Sequence, residues 1–262
     1  MKLRKKILCG LLSVGAIASL LTGCGKKDAK TFSVGFDAEY PPYGYMDDNG
    51  EYTGFDLELA EEVCKINGWE LKKQPIAWDN KDNELNSGSI DCIWNGFTIN
   101  GREDAYEWSV PYVDNSQVIV VKANSGITKL SDLEGKTVGV QAASAALELL
   151  SDEEGQKELA DTFKKLQEFA DYNTAFVELQ ADSVDAIAMD IGVAQYQING
   201  RGDEFIILDE HLNAEQYGVG FKLGNTETRD KVNSALKELK KNGKFDELAE
   251  KYGLSDMTCL EP

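Results

Sequence analysis

Two stretches of the chain repeat one another, and this repetition constrains the fold more than any other feature. Five residues recur 94 positions later in the same order, namely Glu84, Leu85, Ser89, Asp91 and Ile93 as Glu178, Leu179, Ser183, Asp185 and Ile187. A second match pairs residues 34–37 with residues 138–141. Each copy has the pattern of a helix end or strand that runs into a tight turn. We therefore expect two lobes of similar construction.

The segments between these repeats alternate between strand and helix patterns. We predict strands at residues 31–36, 118–121 and 137–140, and helices at residues 55–67, 143–150, 156–166 and 228–252, the last broken at Asn242-Gly243. This alternation indicates an α/β protein with mainly parallel strand pairing. Ligands of open α/β sheets bind beyond the carboxyl ends of the strands. Two lobes that face each other with such ends form a cleft, and a cleft between domains typically holds a small ligand.

The net charge of the chain limits the kinds of molecule that it can bind. The 262 residues carry a formal charge of −19. A surface of this sign repels phosphate backbones, which argues against nucleic acid as a partner. Loss of the first 23 residues would remove four basic residues and no acid, and would lower the charge to about −23.

The N-terminus has the pattern of an export signal. A basic stretch at residues 2–6 precedes an apolar run at residues 7–21, which is too short for a membrane span. The run ends in Leu21-Thr22-Gly23-Cys24, which resembles the cleavage box of bacterial lipoproteins. The resemblance implies a signal peptide at residues 1–23, a lipid on Cys24, a tether at residues 24–30 and a location on the outer face of a membrane. An ordinary signal peptide with a chance cysteine is the alternative.

The remaining cysteines do not suggest a metal or cofactor site. Cys64, Cys92 and Cys259 are three in number, so at least one thiol of a monomer is unpaired, and a disulfide between two of them stays open. His211 is the single histidine, and no CxxC motif occurs. We therefore expect no bound metal and no cofactor.

Several polar residues at the predicted strand ends are candidates for binding a zwitterion. Arg102 could hold a carboxylate with its guanidinium fork, or it could be a solvated loop residue that pairs with Glu103 or Asp104. Ser144 could direct helix N–H groups at the same carboxylate, or simply cap the helix. Asp190 ends an apolar strand and could accept an ammonium, or cap the next helix. Tyr40 and Trp78 could sandwich a ligand side chain, or pack in the core.

The helix segment at residues 54–64, GFDLELAEEVC, looks like the signature of the polar amino-acid solute-binding proteins of ABC importers. The resemblance runs over the whole chain after the signal peptide. It includes the loop at residues 37–42, Thr98-Ile99 followed by Arg102, the segment at residues 135–141, the stretch at residues 184–190, the segment at residues 216–221 and the turn at residues 242–245. The Thr98-to-Arg102 stretch is one residue shorter than is usual in that family, and Ala143 stands where glycine is common.

The resemblance implies a two-lobed venus-flytrap fold of type II with two hinge crossings. The first lobe would comprise residues 31–116 and 216–262, and the second lobe residues 117–215. Arg102, Thr98 and Ser144 would hold the α-carboxylate of a free amino acid, and Asp190 and Gly96 would hold its ammonium. The side chain of the ligand would meet Asp37, Asn95, Tyr40 and Trp78. Gln141, at the end of a predicted strand, is a further candidate for ligand binding.

The function implied is that of a monomeric, lipid-anchored receptor that delivers a polar amino acid to an importer permease without chemistry. Asp37 and Glu39 favour a cationic ligand such as arginine, lysine, ornithine or histidine over a glutamine-like one. The alternatives are a dehydratase on the same fold, with a buried Glu39 as general acid, and a receptor for a sensor system.

Overall fold

The computed structural model describes residues 29–262. Its strands are β1 Thr31–Phe36, β2 Glu39–Tyr40, β3 Gly44–Met46, β4 Tyr52–Thr53, β5 Glu70–Pro75, β6 Cys92–Ile93, β7 Glu107–Trp108, β8 Val113–Asn115, β9 Gln117–Lys122, β10 Thr137–Gln141, β11 Lys165–Phe169, β12 Ala186–Asp190, β13 Phe205–Ile207, β14 Glu215–Tyr217 and β15 Gly220–Phe221. Its α-helices are α1 Phe55–Asn67, α2 Lys81–Ser87, α3 Ala145–Ser151, α4 Lys157–Ala160, α5 Tyr172–Gln180, α6 Ile191–Ile198, α7 Thr226–Lys241 and α8 Lys244–Lys251.

Two five-stranded sheets form the frame of the two lobes. Their strand orders are β5-β1-β6-β15-β7 and β11-β10-β12-β9-β13. In each sheet the first three strands pair in parallel, whereas the last two join in antiparallel fashion. The prediction of mainly parallel pairing is therefore wrong for half of the pairs. The antiparallel strands β15 and β9 each enter their sheet just after a crossing between the lobes, and so run against their neighbours.

The repeat seen in the sequence is realised in the hydrogen bonding of both sheets. Val34 pairs with Cys92 in β6, and the equivalent Val138 pairs with Ala186 in β12. Asp91 accepts the backbone N–H of Ser33 at 2.7 Å, and Asp185 accepts that of Thr137 at 2.8 Å. The recurring aspartate thus fixes the register of the central strands, because its carboxylate takes an N–H group at the start of the neighbouring strand in each lobe.

The chain crosses between the two sheets at β8 and β14, which pair with each other in antiparallel fashion. Asn115 stands opposite Glu215 in this pair, next to the cleft. The lobe boundaries at residues 116 and 215 stay predictions. The signal peptide and the Cys24 anchor lie outside the described residues, and among residues 29–262 no helix is long and apolar enough to cross a membrane.

Most predicted elements are present, with one clear exception. Helix α1 ends at Gly68 in the left-handed conformation, and the tail forms α7 and α8 with the break at the predicted position. The helix predicted at residues 156–166 is wrong, because α4 is four residues long and residues 165–169 form the edge strand β11. Helix α3 begins two residues later than predicted, after Ala143 with φ of 54°.

Candidate functional site

The carboxyl ends of the central strands of both sheets meet at one cleft, as the sequence predicts. Asp37 follows β1 and Asn95 follows β6 in the first lobe, whereas Gln141 ends β10 and Asp190 ends β12 in the second. All four side chains are buried. Hydrogen bonds cross the cleft between the lobes, so the structure has the two lobes in contact.

Asp190 lies at the centre of these contacts. Its side chain is 2% exposed, and its carboxylate accepts from the Tyr40 hydroxyl of the first lobe, the Tyr217 hydroxyl at 2.5 Å, and the amides of Asn115 and Gln117 at 2.8 Å each. Three of these donors share Oδ1, whereas Oδ2 accepts from the Tyr40 hydroxyl. Asp190 is the N-cap residue of α6, but its side chain makes no capping bond and is used by the four donors instead.

A second carboxylate, Glu215, shares two of these donors. The amides of Asn115 and Gln117 reach its Oε1 at 2.7 and 2.8 Å, and the Thr98 hydroxyl donates to the same oxygen at 2.8 Å. Burial and the neighbouring Glu215 raise the pKa of Asp190 to about 6. Glu215 was not among the predicted site residues, although it stands directly before the Gln216-Tyr217 segment that carries the family resemblance.

Arg102 reaches across the cleft to the second lobe. Its Nε donates to Glu148 Oε2 at 2.8 Å. Its buried Nη2 lies 2.8 Å from Glu148 Oε1 but makes no hydrogen bond. The guanidinium lies 5.1 Å from the Phe97 ring centroid and is 8% exposed. Gly101, with φ of 79°, makes the tight turn that the short loop requires. The interpretation of Arg102 as a solvated residue paired with Glu103 or Asp104 is therefore wrong.

A buried lysine lies beside Arg102. Lys81 is the first residue of α2, and its ammonium donates to the carbonyl of Ala143 in the second lobe at 3.3 Å. It also stands 5.3 Å from the ring centroid of Trp78. Burial, and after it the positive charge of Arg102, lowers the pKa of Lys81. No pattern in the sequence marks Lys81, which lies in a polar stretch without a motif.

Asp37 and Gln141 form another contact between the lobes. The Gln141 amide donates to Asp37 Oδ2 at 2.7 Å and the Glu39 backbone N–H donates to Oδ1 at 2.9 Å, so both donors of Asp37 are neutral. Burial raises the pKa of Asp37. Near Asp37, Asn95 is 1% exposed and neither atom of its amide has a hydrogen-bond partner.

Aromatic rings line the space between these polar groups. The ring of Tyr40 lies 6.1 Å from that of Tyr43 and 6.0 Å from that of Tyr172. A side chain on Gly96 would meet the rings of Tyr40 and Tyr217 at 3.1 Å, so glycine keeps this approach open. The Gly96 N–H itself donates to the buried Asp56 at 2.6 Å. Trp78 packs edge-on against Phe97 beneath Lys81.

Ser144 acts as a helix cap in this conformation. Its hydroxyl accepts the Leu147 N–H at 3.1 Å. The plain helix cap therefore accounts for the Ser144 hydroxyl without a ligand. Beside the Arg102–Glu148 pair, a cavity of about 470 Å³ lies between the lobes and is lined by Asn100, Ala145, Glu148, Leu149, Asn213 and Glu215, among others.

The candidate residues therefore lie close together, but their charged groups already have partners within the chain. Glu148 holds Arg102, and Tyr40 holds Asp190, each from the opposite lobe. Cys64, Cys92 and Cys259 are unpaired, and no group of three metal-ligating side chains occurs within the described residues. The arrangement can bind a small molecule that carries both a negative and a positive group.

Comparison with known proteins agrees with this geometry. The chain is 31% identical to the L-cystine-binding protein TcyJ of Escherichia coli over 235 residues, which is 88% of this chain and 86% of that protein. It is 31% identical to the arginine-binding extracellular protein ArtP of Bacillus subtilis over 252 residues, 92% and 96% of the two chains. A crystal structure of an ABC uptake transporter substrate-binding protein from Streptococcus pneumoniae with bound histidine matches with a TM-score of 0.83, 33% identity and coverage of 88% and 95%.

The model of one protein family covers nearly all of the described chain, from residue 32 to residue 255. The two sheets with their shared strand order, the paired crossings and the cleft between the lobes are those of a venus-flytrap fold, as the sequence predicts. The chain belongs to the bacterial extracellular solute-binding proteins, family 3.

Proposed function

We propose that the chain captures a free polar amino acid between its two lobes and delivers it to the permease of an ABC importer. The observation that carries the proposal is that one lobe brings a buried cation, and the other a buried anion, to the same cleft. Arg102 is supplied by the first lobe and Asp190 by the second. A zwitterion satisfies both charges, which neither water nor a neutral ligand does as well.

The contacts across the cleft indicate how binding would change the lobes. The ligand ammonium would bind Asp190 at Oδ2, where the Tyr40 hydroxyl is the donor, because Oδ1 already accepts from the other three donors. The ligand carboxylate would bind Arg102, whose Nη1 edge is not used by Glu148. Thr98, Ser144 and Gly96 would complete these two subsites. Ligand binding would then favour one closed arrangement that the permease recognises.

A cationic amino acid is the ligand class that the side-chain end of the cleft favours. Asp37 is buried with neutral donors only, so its negative charge lacks a counterion. The unpartnered amide of Asn95 lies close by and would add a hydrogen bond. Tyr40, Trp78 and Gln141 would surround the same group. Relatives named for arginine and histidine fit this class.

We further propose that the protein binds without catalysing a reaction. Glu39, which would be the general acid of a dehydratase, is exposed and faces Asn173. His211 is exposed as well, and its Nδ1 lies 2.9 Å from the Ser116 hydroxyl. The family is extracellular, and we propose that this monomer is held at the membrane by a lipid on Cys24.

A thermal-shift panel tests the proposal directly. It would contain the twenty amino acids, ornithine and cystine at about 1 mM each, with Arg102→Ala as a matched control. A ligand with a micromolar Kd would then stabilise the native state by about 4 kcal/mol. We expect arginine, lysine, ornithine or histidine to give the largest shift in the wild type and a clearly smaller shift or none in Arg102→Ala. A panel without any shift would refute amino-acid binding, and a largest shift with a neutral ligand would refute the cationic class.

A further inference from the structure

The ammonium of Lys81 is a buried charge without a close counterion. Its side chain is 4% exposed, and its one hydrogen bond is the 3.3 Å contact to the Ala143 carbonyl. Among the described residues, the carboxylate within salt-bridge distance is that of Asp82, at 4.0 Å, on a side chain that is 55% exposed. A buried ammonium is expensive unless a carboxylate neutralises it. Burial of the Lys81 ammonium therefore destabilises the folded protein.

The position of Lys81 indicates what would neutralise it. The lysine belongs to the first lobe, yet its ammonium touches the backbone of Ala143 in the second lobe, one residue before Ser144. On one side, the ammonium makes a cation–π contact with the face of the Trp78 ring. Arg102 is close enough that its charge lowers the pKa of Lys81. The lysine therefore lies at the same end of the cleft as Arg102.

Lys81 lacks a hydrogen-bonded counterion, whereas Arg102 has one in Glu148. The carboxylates near the Lys81 ammonium are Asp82, at 4.0 Å and half-exposed, and, at greater distance, Asp79 and Glu148. A ligand carboxylate could bind the ammonium directly. It would do so without displacing Glu148, whose side chain is half-exposed and can remain in contact with water.

We propose that Lys81 binds the α-carboxylate of the ligand together with Arg102. This inference rests on the proposed function and adds a second cation to the carboxylate subsite. In this arrangement Glu148 positions the guanidinium, and the lysine ammonium supplies the charge that the bound carboxylate neutralises. The same residue makes the empty protein less stable than it would be with an apolar side chain at this position.

Calorimetry with Lys81→Met tests the inference. L-Arginine and its α-carboxamide would be titrated into the wild type, Lys81→Met, Lys81→Arg and the exposed control Lys65→Met. If histidine is the panel's ligand, L-histidine and its α-carboxamide replace them. We expect Lys81→Met to weaken binding of the amino acid about 10- to 100-fold and binding of the carboxamide less than about threefold. Lys81→Arg should recover most of the affinity, and Lys65→Met should change nothing.

The melting temperature of the ligand-free variants separates a binding role from a structural one. A binding role predicts that Lys81→Met melts at or above the wild-type temperature, because an unpaired charge is replaced by an apolar side chain. Lowered melting with equal losses for acid and carboxamide would overturn the inference, as would wild-type affinity for the acid. Failure of the wild type itself to bind any amino acid would instead refute the proposed function.

Discussion

Ligand affinity should depend on the protonation of Asp190. Burial and the neighbouring Glu215 raise the pKa of its carboxyl group to about 6. A ligand ammonium binds the ionised form and lowers this pKa, so binding releases a proton when the pH is below about 6. At pH 5 a group with a pKa of about 6 is ionised in roughly one molecule in eleven. We therefore expect affinity to be about tenfold weaker at pH 5 than above pH 7.

Isothermal titration with L-arginine, which titrates no group of its own between pH 5 and 7.5, measures this dependence. Two buffers of different ionisation enthalpy at pH 5 should report release of nearly one proton per ligand. The Tyr217 hydroxyl holds the pKa of Asp190 down, so Tyr217→Phe should move the midpoint of the affinity profile to higher pH. Tyr112→Phe is the matched control, because that hydroxyl donates to Asp56 instead, at 2.9 Å. An affinity that is constant within twofold from pH 5 to 7.5 would refute the reasoning.

Three further outcomes are expected. Arg102→Ala should weaken binding by about 2–5 kcal/mol while circular dichroism stays native, because Glu148 is then free to face water; near-wild-type affinity would contradict the assignment. Burial raises the pKa of Asp56 to about 7, so its folded-state value lies above the unfolded one and the unfolding free energy of the ligand-free protein should fall as pH rises from about 4 to 7. Urea titrations should show this slope, and Asp56→Asn should reduce it, most clearly between pH 6 and 7, because Asp190 contributes to the slope below pH 6; a rise in stability over that window would oppose the idea. Cys24→Ser should move the protein from the membrane fraction to the soluble one, and its retention on membranes would remove the lipid anchor.

The repeat in the sequence predicted the frame of the fold because it records a hydrogen-bonding pattern. Asp91 and Asp185 hold the same N–H position in the two sheets, so the residue type and its spacing were both under a geometric constraint. The edge strands β5 and β11 carry no such constraint. They pair on one side only and are rich in polar residues, which is why no strand was predicted at either place and a helix was predicted over part of β11.

Site residues could be predicted from the sequence where they end a strand. They could not be predicted where their role depends on a contact with the other lobe. Asp37 and Asp190 stand out because each follows an apolar strand. Lys81 lies on helix α2 among other polar residues, and Glu148 is the one charged residue of the mostly apolar helix α3. Only the approach of the lobes gives them partners. Such partners are separated by tens of residues, and no local pattern encodes their meeting.

The position of β15 affects the order in which an exported chain can fold. This strand lies between β6 and β7, and β7 has no other partner in its sheet. The five strands of the other sheet all come from one continuous stretch, residues 117–207. A chain that leaves the translocation channel N-terminus first can therefore finish the second sheet early, while the first keeps an open seam until residue 221 has emerged. Chaperones and neighbouring chains can bind at that seam, because the backbone groups of its strand edges are the last to be paired.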